Sequence, residues 1–200
     1  MRLRDLERTL SSIAAHPAPK AELEQYTTPG DLAARLLAEA SALGDIGGKR
    51  VVDLGCGTGV LAIGAQLLGA ASVVGIDVDE ASLAVARTEA ARIGAEVEFI
   101  AMDVSAWPGS ADTVIMNPPF GAQRPGADRP FLDAAFAHAA VVYSLHNAMT
   151  RAFVEAYARD HGFAVTNTWL LKFPLRQQYR HQSRSVADID VLAFRMEKRV

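Results

Sequence analysis

Two hydrophobic rhythms alternate along this chain. Short, nearly continuous apolar runs recur at Arg50–Leu54, Ser72–Ile76, Val97–Ile100, Thr113–Met116 and Ala140–Ser144. Runs this short and this rich in valine and isoleucine predict strands buried on both faces. Between them lie helical segments: Val60–Leu68, Glu80–Arg92 with Leu83, Val85 and Ala86 turned inward, Pro130–Ala139 and Thr150–Asp160. Two longer strand-like runs, Ala164–Phe173 and Ile189–Met196, follow with no helical segment between them. The pattern predicts an α/β fold: a mostly parallel, seven-stranded sheet with helices on both faces and an antiparallel C-terminal edge. Ahead of it, Arg4–Ala14 reads as an amphipathic helix stopped at His16-Pro17-Ala18-Pro19. Thr28 is placed to cap a second helix, with Pro29 at its first position, running to about Leu43.

At 200 residues the chain predicts one domain, with N-terminal helices over 1–45 and the α/β core over 50–200. Half of its residues are hydrophobic and 22% are charged, an ordinary balance for a protein with a packed core. No stretch is repetitive or of low complexity. Leu54 to Ile76 carries no charge, but its six glycines and Gln66 break it into strand, loop, helix and strand rather than a membrane span. The charged start, Met1-Arg2-Leu3-Arg4-Asp5, is unlike a signal peptide, so the cytoplasm is the expected compartment. One cysteine, Cys56, excludes an internal disulfide and a four-cysteine metal site, and His16, His138, His161 and His181 lack metal-ligand spacing. No metal is expected.

The glycine-rich segment Asp53-Leu54-Gly55-Cys56-Gly57-Thr58-Gly59 falls where the first strand gives way to a helix. A dinucleotide loop of the G-x-G-x-x-G type needs glycine at position 60, where this chain has Val60. An acid just before the loop repels a pyrophosphate and suits an amino-acid ammonium. Asp77 ends the second strand roughly twenty residues on, where a carboxylate can bind ribose hydroxyls. Asp103-Val104 follows the third strand and is placed to meet an adenine ring. Together these favour S-adenosylmethionine over a nicotinamide cofactor. Cys56 reads as a small loop residue rather than a nucleophile.

Asn117-Pro118-Pro119-Phe120 follows the fourth strand, at the ligand-facing end of such a sheet. An adenine amine is a poor nucleophile because its lone pair is delocalised into the ring. Two acceptors on its hydrogens, the Asn117 side-chain oxygen and the Pro118 carbonyl, would favour a pyramidal nitrogen. The prolines stiffen the turn, and Phe120 offers a face for a base. Positioning then does most of the work.

On these residues the chain resembles the class I methyltransferases of the N-P-P-[FY] type, with a Rossmann-like core. Within them it is similar to the METTL-series family of ribosomal-RNA adenine-N6 methyltransferases. Leu23-Glu24-Gln25-Tyr26-Thr27-Thr28, the Asp53–Gly59 loop, Val114–Gly121, Val142-Tyr143-Ser144-Leu145-His146 and Thr150-Arg151 carry the likeness. It implies that Gln25 and Thr28 close over the cofactor. Asp53, Gly55, Cys56, Gly57 and Gly59 would surround its methionine part, Asp77 its ribose, and Asp103 and Val104 its adenine. Asn117, Pro118, Pro119 and Phe120 would hold the target base. It also implies a small zinc-binding activator protein paired with an edge of the sheet.

Charge adds one feature. Net charge is −3, yet residues 151–200 hold nine Lys/Arg against five Asp/Glu. Lys172, Arg176, Arg180, His181 and Arg184, with Phe173 and Tyr179, form an acid-free stretch expected to contact RNA; the plainer alternative is a solvated basic loop. Gly121–Arg129 reads either as a lid or as an ordinary surface loop. His146 reads as a capping or packing residue. Two other functions stay open: methylation of a protein glutamine amide, which needs the same acceptors, and a non-catalytic binding module built on the cofactor fold.

Overall fold

The computed structural model describes residues 1–20, 24–121, 124–175 and 187–199. Helices α1 (Leu3–Ser11) and α2 (Gly30–Ala42) lead into β1 (Arg50–Leu54), α3 (Val60–Leu67), β2 (Ser72–Asp77), α4 (Glu80–Ile93), β3 (Glu98–Ala101) and β4 (Ala111–Met116). Then come α5 (Arg129–His138), β5 (Ala139–Asn147), α6 (Arg151–Asp160), β6 (Phe163–Leu175) and β7 (Ala187–Lys198). The seven strands make one sheet in the order β3-β2-β1-β4-β5-β7-β6. Strands β1 to β5 pair in parallel, whereas β7 lies antiparallel between β5 and β6. The sheet type and the antiparallel edge are those the hydrophobic pattern predicts.

Both faces of the sheet are covered, and this is why its central strands read as continuous apolar runs. Val51, Val73, Ile115 and Tyr143 join Leu36, Leu37, Ile63 and Leu83 in one core. The alternate residues Val52, Leu54, Val114, Met116 and Val142 join Leu132, Phe136 and Val154 in the other. From β1 the chain first builds outward to β2 and β3, then returns to lay β4 on the other side of β1. The connections therefore diverge at the C-terminal ends of β1 and β4, and a crevice opens there.

Two local expectations change, and a third holds. Helix α2 begins at Gly30 with Pro29 in the capping position, and Thr28 does not cap it. Its hydroxyl instead meets Asn117, as described below. On α4 the buried residues are Ser82, Leu83, Ala86 and Ala90, while Val85 is half-buried. A serine on the inner face hid the true register from a hydrophobicity count. The uncharged stretch from Leu54 to Ile76 is strand end, loop, helix and strand, and no described helix is long and apolar enough to cross a membrane.

A buried polar cluster ties the two halves of the sheet together. Arg195 on β7 donates from Nε to Asp45 Oδ2 at 2.7 Å and from Nη2 to Oδ1 at 3.2 Å. Tyr143 on β5 donates to the same carboxylate at 2.6 Å, and Thr113 on β4 donates to the Asp45 carbonyl at 2.6 Å. Every one of these polar groups has a partner, as burial requires.

Candidate active site

The glycine-rich loop turns out of β1 with Gly55, Gly57 and Gly59 all at positive φ. The loop is held from β2: the amides of Gly55 and Cys56 donate to the Ile76 carbonyl at 2.8 and 3.0 Å, and that of Gly57 to Asp77 Oδ2 at 2.8 Å. Asp77 Oδ1 accepts the Asp79 amide at 2.9 Å. Each Asp77 oxygen has spent one lone-pair direction on backbone and keeps capacity for a further donor. A side chain at Gly57 would strike the His16 ring, 2.9 Å from its Cε1.

Two adjoining hollows lie above this loop and share His16, Tyr26, Gly55, Gly57 and Asn117 as walls. The larger, about 330 Å³, is lined further by Gln25, Asp77, Val78, Asp103, Val104, Pro119, Arg124 and Phe131. The smaller, about 30 Å³, reaches down to Thr28, Asp53, Cys56, Thr58 and the start of α3. The larger hollow sets Glu24, Asp77 and Asp103 against Arg124, an acidic balance suited to a cationic ligand.

Around the smaller hollow several buried polar atoms lack partners: Asp53 Oδ1, Thr58 Oγ1 and Asn117 Oδ1. The other Asp53 oxygen accepts the Ala62 amide at 3.0 Å. Burial pushes the Asp53 carboxyl up to about 8, against the pull of that amide. Orphaned acceptors are costly in a folded protein unless a ligand meets them. An amino-acid ammonium would meet the Asp53 oxygen, and ribose hydroxyls the spare capacity of Asp77, so the residues present fit S-adenosylmethionine.

The chain between α1 and α2 crosses the mouth of these hollows. Gln25 is buried, accepting the Lys20 amide at 2.8 Å and donating to Asp79 Oδ2 at 2.9 Å. Lys20 Nζ and Ser82 Oγ reach the same carboxylate at 2.8 and 2.7 Å. Burial opposes ionisation of Asp79, but the hydrogen bonds from Lys20, Ser82 and Gln25 outweigh it and hold its carboxyl far below the usual range. Gln25 is thereby latched to the start of α4 on the wall of the larger hollow.

At the end of β4, Asn117 Nδ2 donates to Thr28 Oγ1 at 3.0 Å. That bond fixes the amide with its oxygen unpartnered. Pro118 is buried and Pro119 lines the larger hollow. Phe120 departs from expectation: it is half-buried against the core and meets Phe173 edge-on, with ring centroids 5.8 Å apart, so it is absent from the cavity wall. Phe131 supplies an aromatic wall to the larger hollow instead.

Other expected residues divide similarly. Gly59 lines neither hollow; a Cβ there would lie 3.0 Å from Phe99 and 3.1 Å from Ala86, so its bareness serves helix–strand packing. Cys56 is buried and its thiol pushed well up by burial, which leaves it unreactive. Lys172 is ion-paired with Asp190. Phe173 is a core residue, not an RNA-facing ring. Arg176, Tyr179, Arg180, His181 and Arg184 lie outside the described residues. His146 packs edge-on to Phe194 at 6.0 Å and contacts Ser144 at 2.7 Å and Asp128 at 3.4 Å; the neighbouring Asn147 does the capping. The described part of the Gly121–Arg129 loop sets Arg124, Gly126 and Ala127 on the cavity wall.

Sequence reasoning missed His16, Tyr26 and Phe131. His16 and Phe131 lie outside every motif and enter the site by a long-range approach, whereas Tyr26 stands inside the Leu23–Thr28 motif, where only Gln25 and Thr28 were given a role. The pairing of Gly57 with His16 is visible only in three dimensions.

The strand order, the loop after β1 and the acids at successive strand ends define a class I methyltransferase. A model of the methyltransferase small domain matches residues 28–145. The chain is 36% identical to the rRNA N(6)-adenosine-methyltransferase METTL5 of Danio rerio, over 96% of each chain. It is 36% identical to that of Drosophila melanogaster, over 98% of this chain and 97% of that one. The crystal structure of a candidate RNA methyltransferase from Pyrococcus horikoshii superposes with a TM-score of 0.94 at 42% identity, covering 100% of this chain and 99% of that one. The chain belongs to the methyltransferase small-domain family and, within it, to the group that contains the METTL5 rRNA N(6)-adenosine methyltransferases.

Proposed function

We propose that this chain, acting as a single domain in the cytoplasm, transfers a methyl group from S-adenosylmethionine to the exocyclic N6 of an adenine in ribosomal RNA. The observation that carries the reading is the Asn117 amide. Its nitrogen is tied to Thr28, and its buried oxygen has no partner beside the cofactor hollow. An amine nitrogen bearing two hydrogens satisfies that oxygen, and the Pro118 carbonyl takes the second hydrogen. Both acceptors pull the hydrogens out of the ring plane and turn the lone pair toward the cofactor. S-adenosylmethionine, when bound, supplies an activated methyl group on a sulfonium. Glu24, Asp77 and Asp103 favour the cationic cofactor electrostatically. Phe131 and Pro119 give the base apolar walls. A target adenine inside a duplex has to be flipped out, at a few kcal/mol, which favours unpaired adenines.

The full-length likeness to adenine-N6 methyltransferases favours adenine over a side-chain amide. The orphaned acceptors at Asp53 and Asn117 speak against a non-catalytic scaffold, because a scaffold gains nothing from leaving them bare. Lys172, Arg176, Arg180, His181 and Arg184 are proposed to contact the RNA backbone. A small zinc-binding protein is proposed to pair with one of the two sheet edges, β3 or β6. The test is transfer of labelled methyl to total ribosomal RNA, with and without that partner, followed by mapping of the product. Incorporation lost in Asn117→Ala with cofactor binding intact supports the reading. Full activity of that variant sinks it.

A further inference from the structure

His16 stands in neither the glycine loop nor the N-P-P-F turn, yet it walls both hollows. Its Nδ1 lies 2.8 Å from Ser82 Oγ, and that hydroxyl donates to Asp79 Oδ2 at 2.7 Å. Asp79 is held ionised by its hydrogen bonds and is therefore an acceptor only. Ser82 has one hydrogen and spends it on Asp79, so the bond to His16 must run the other way, from Nδ1–H to Ser82. The neutral ring then carries its proton on Nδ1, and Nε2 is a bare acceptor. That nitrogen lies 3.0 Å from where a Cβ on Gly57 would stand, so no other residue there would admit the ring.

We propose that His16 is a cofactor-contacting residue: its neutral Nε2 accepts a hydrogen bond from bound S-adenosylmethionine, and protonation of this one ring weakens cofactor binding. The inference rests on the cofactor reading given above. Protonation leaves the Nδ1 bond to Ser82 unchanged, so the ring stays in place. What changes is the cavity side, where an acceptor becomes a donor and a cation appears beside a positively charged cofactor. Burial lowers the tendency of the ring to take up that proton, against the pull of Asp77 and Asp79. The charged groups facing it are Asp77 at the end of β2, Asp79 with its partner Lys20, Glu24 and Tyr26 from the crossing segment, Asp53 below the loop and Arg124 across the hollow. Asp79 is already saturated by Lys20, Gln25 and Ser82, so it does not draw Nε2 away from the cavity. S-adenosylhomocysteine lacks the sulfonium charge, and its binding should depend less on the state of His16.

The test is calorimetric titration of S-adenosylmethionine and S-adenosylhomocysteine into wild type, His16→Gln and His16→Leu, between about pH 5 and pH 8. Glutamine keeps an acceptor without a titratable group. Wild type should lose about tenfold in affinity for S-adenosylmethionine on the acid side, and less for S-adenosylhomocysteine. His16→Gln should match wild type at the alkaline end within about threefold and lose the His16-dependent part of the slope. His16→Leu should bind more weakly across the range. Titration of Asp53 is common to all three proteins and cancels in the comparison. An acid-side loss that is unchanged in His16→Gln overturns the inference and leaves the methyltransferase reading standing. So does a His16→Leu variant that binds like wild type. Failure of wild type to bind either compound at any pH overturns the cofactor reading, and this inference with it.

Discussion

Asp45 precedes β1 and Asp53 lies within it; both are buried, but they are treated in opposite ways. Asp45, in the turn before β1, receives hydrogen bonds from Tyr143 and Arg195, which lie 98 and 150 residues further along the chain. Asp53, near the C-terminal end of β1, has a backbone amide on one oxygen and no partner on the other. The first is a closed polar network and contributes to the uniqueness of the sheet. The second stores an unmet need where a ligand is expected. Burial alone therefore does not mark a functional acid, whereas burial with an unsatisfied atom beside a hollow does.

The largest effect should come from the closed network. Asp45→Ala leaves the Arg195 guanidinium buried without its partner and should destabilise the fold by about 3–5 kcal/mol, measured by urea denaturation. A loss below about 1 kcal/mol would mean that Arg195 finds water and that the network is dispensable. Next in size is Asn117→Ala, expected to cut methyl transfer by about 10²–10³-fold, the scale of removing one preorganised hydrogen-bonding group. Its S-adenosylmethionine affinity should be nearly unchanged.

Asp53→Asn sharpens the comparison through pH. The folded-state value for Asp53 is raised to about 8, so the folded protein holds a proton there that the unfolded chain releases near its ordinary value. Apo-protein stability therefore falls as pH rises through that interval, and the penalty is complete above about pH 8. Asparagine carries no such charge. The variant should be more stable than wild type by about 1–3 kcal/mol at the alkaline end, with the gap closing toward about pH 4. Denaturation curves at both ends of the range decide this, and a gap independent of pH would refute the assignment. The smallest effect is expected for Thr28→Val. Loss of the bond to Asn117 Nδ2 should slow transfer about tenfold while costing about 1 kcal/mol or less in stability. If cofactor affinity falls instead and the rate holds, Thr28 belongs to the cofactor rather than to Asn117.

Much of the fold was legible because its signals are local. The apolar runs placed all seven strands to within a few residues, and the missing helix between the last two gave the antiparallel edge. The loop after β1 and the acids at 53, 77 and 103 stand out because strand ends in a parallel sheet point to one crevice. Phe120 was misread for the complementary reason. A ring next to a catalytic turn can face the ligand or the core, and Phe173, fifty-odd positions away in the chain, decided for the core. Gly59 likewise belongs to a motif, but Phe99 and Ala86 give its bareness a packing role.

By itself, the sequence determined the strand–helix alternation, the kind of sheet and the chemistry on offer at its C-terminal edge. Those depend on periodicity and on residue type at short range. Only the tertiary structure decided which polar atoms are left without partners, that Thr28 orients Asn117, and that His16 stands over Gly57 with Nδ1 against Ser82. These are properties of pairs brought together by folding, and whether a hydrogen-bonding group is satisfied is settled by its neighbours in space, not by its neighbours along the chain.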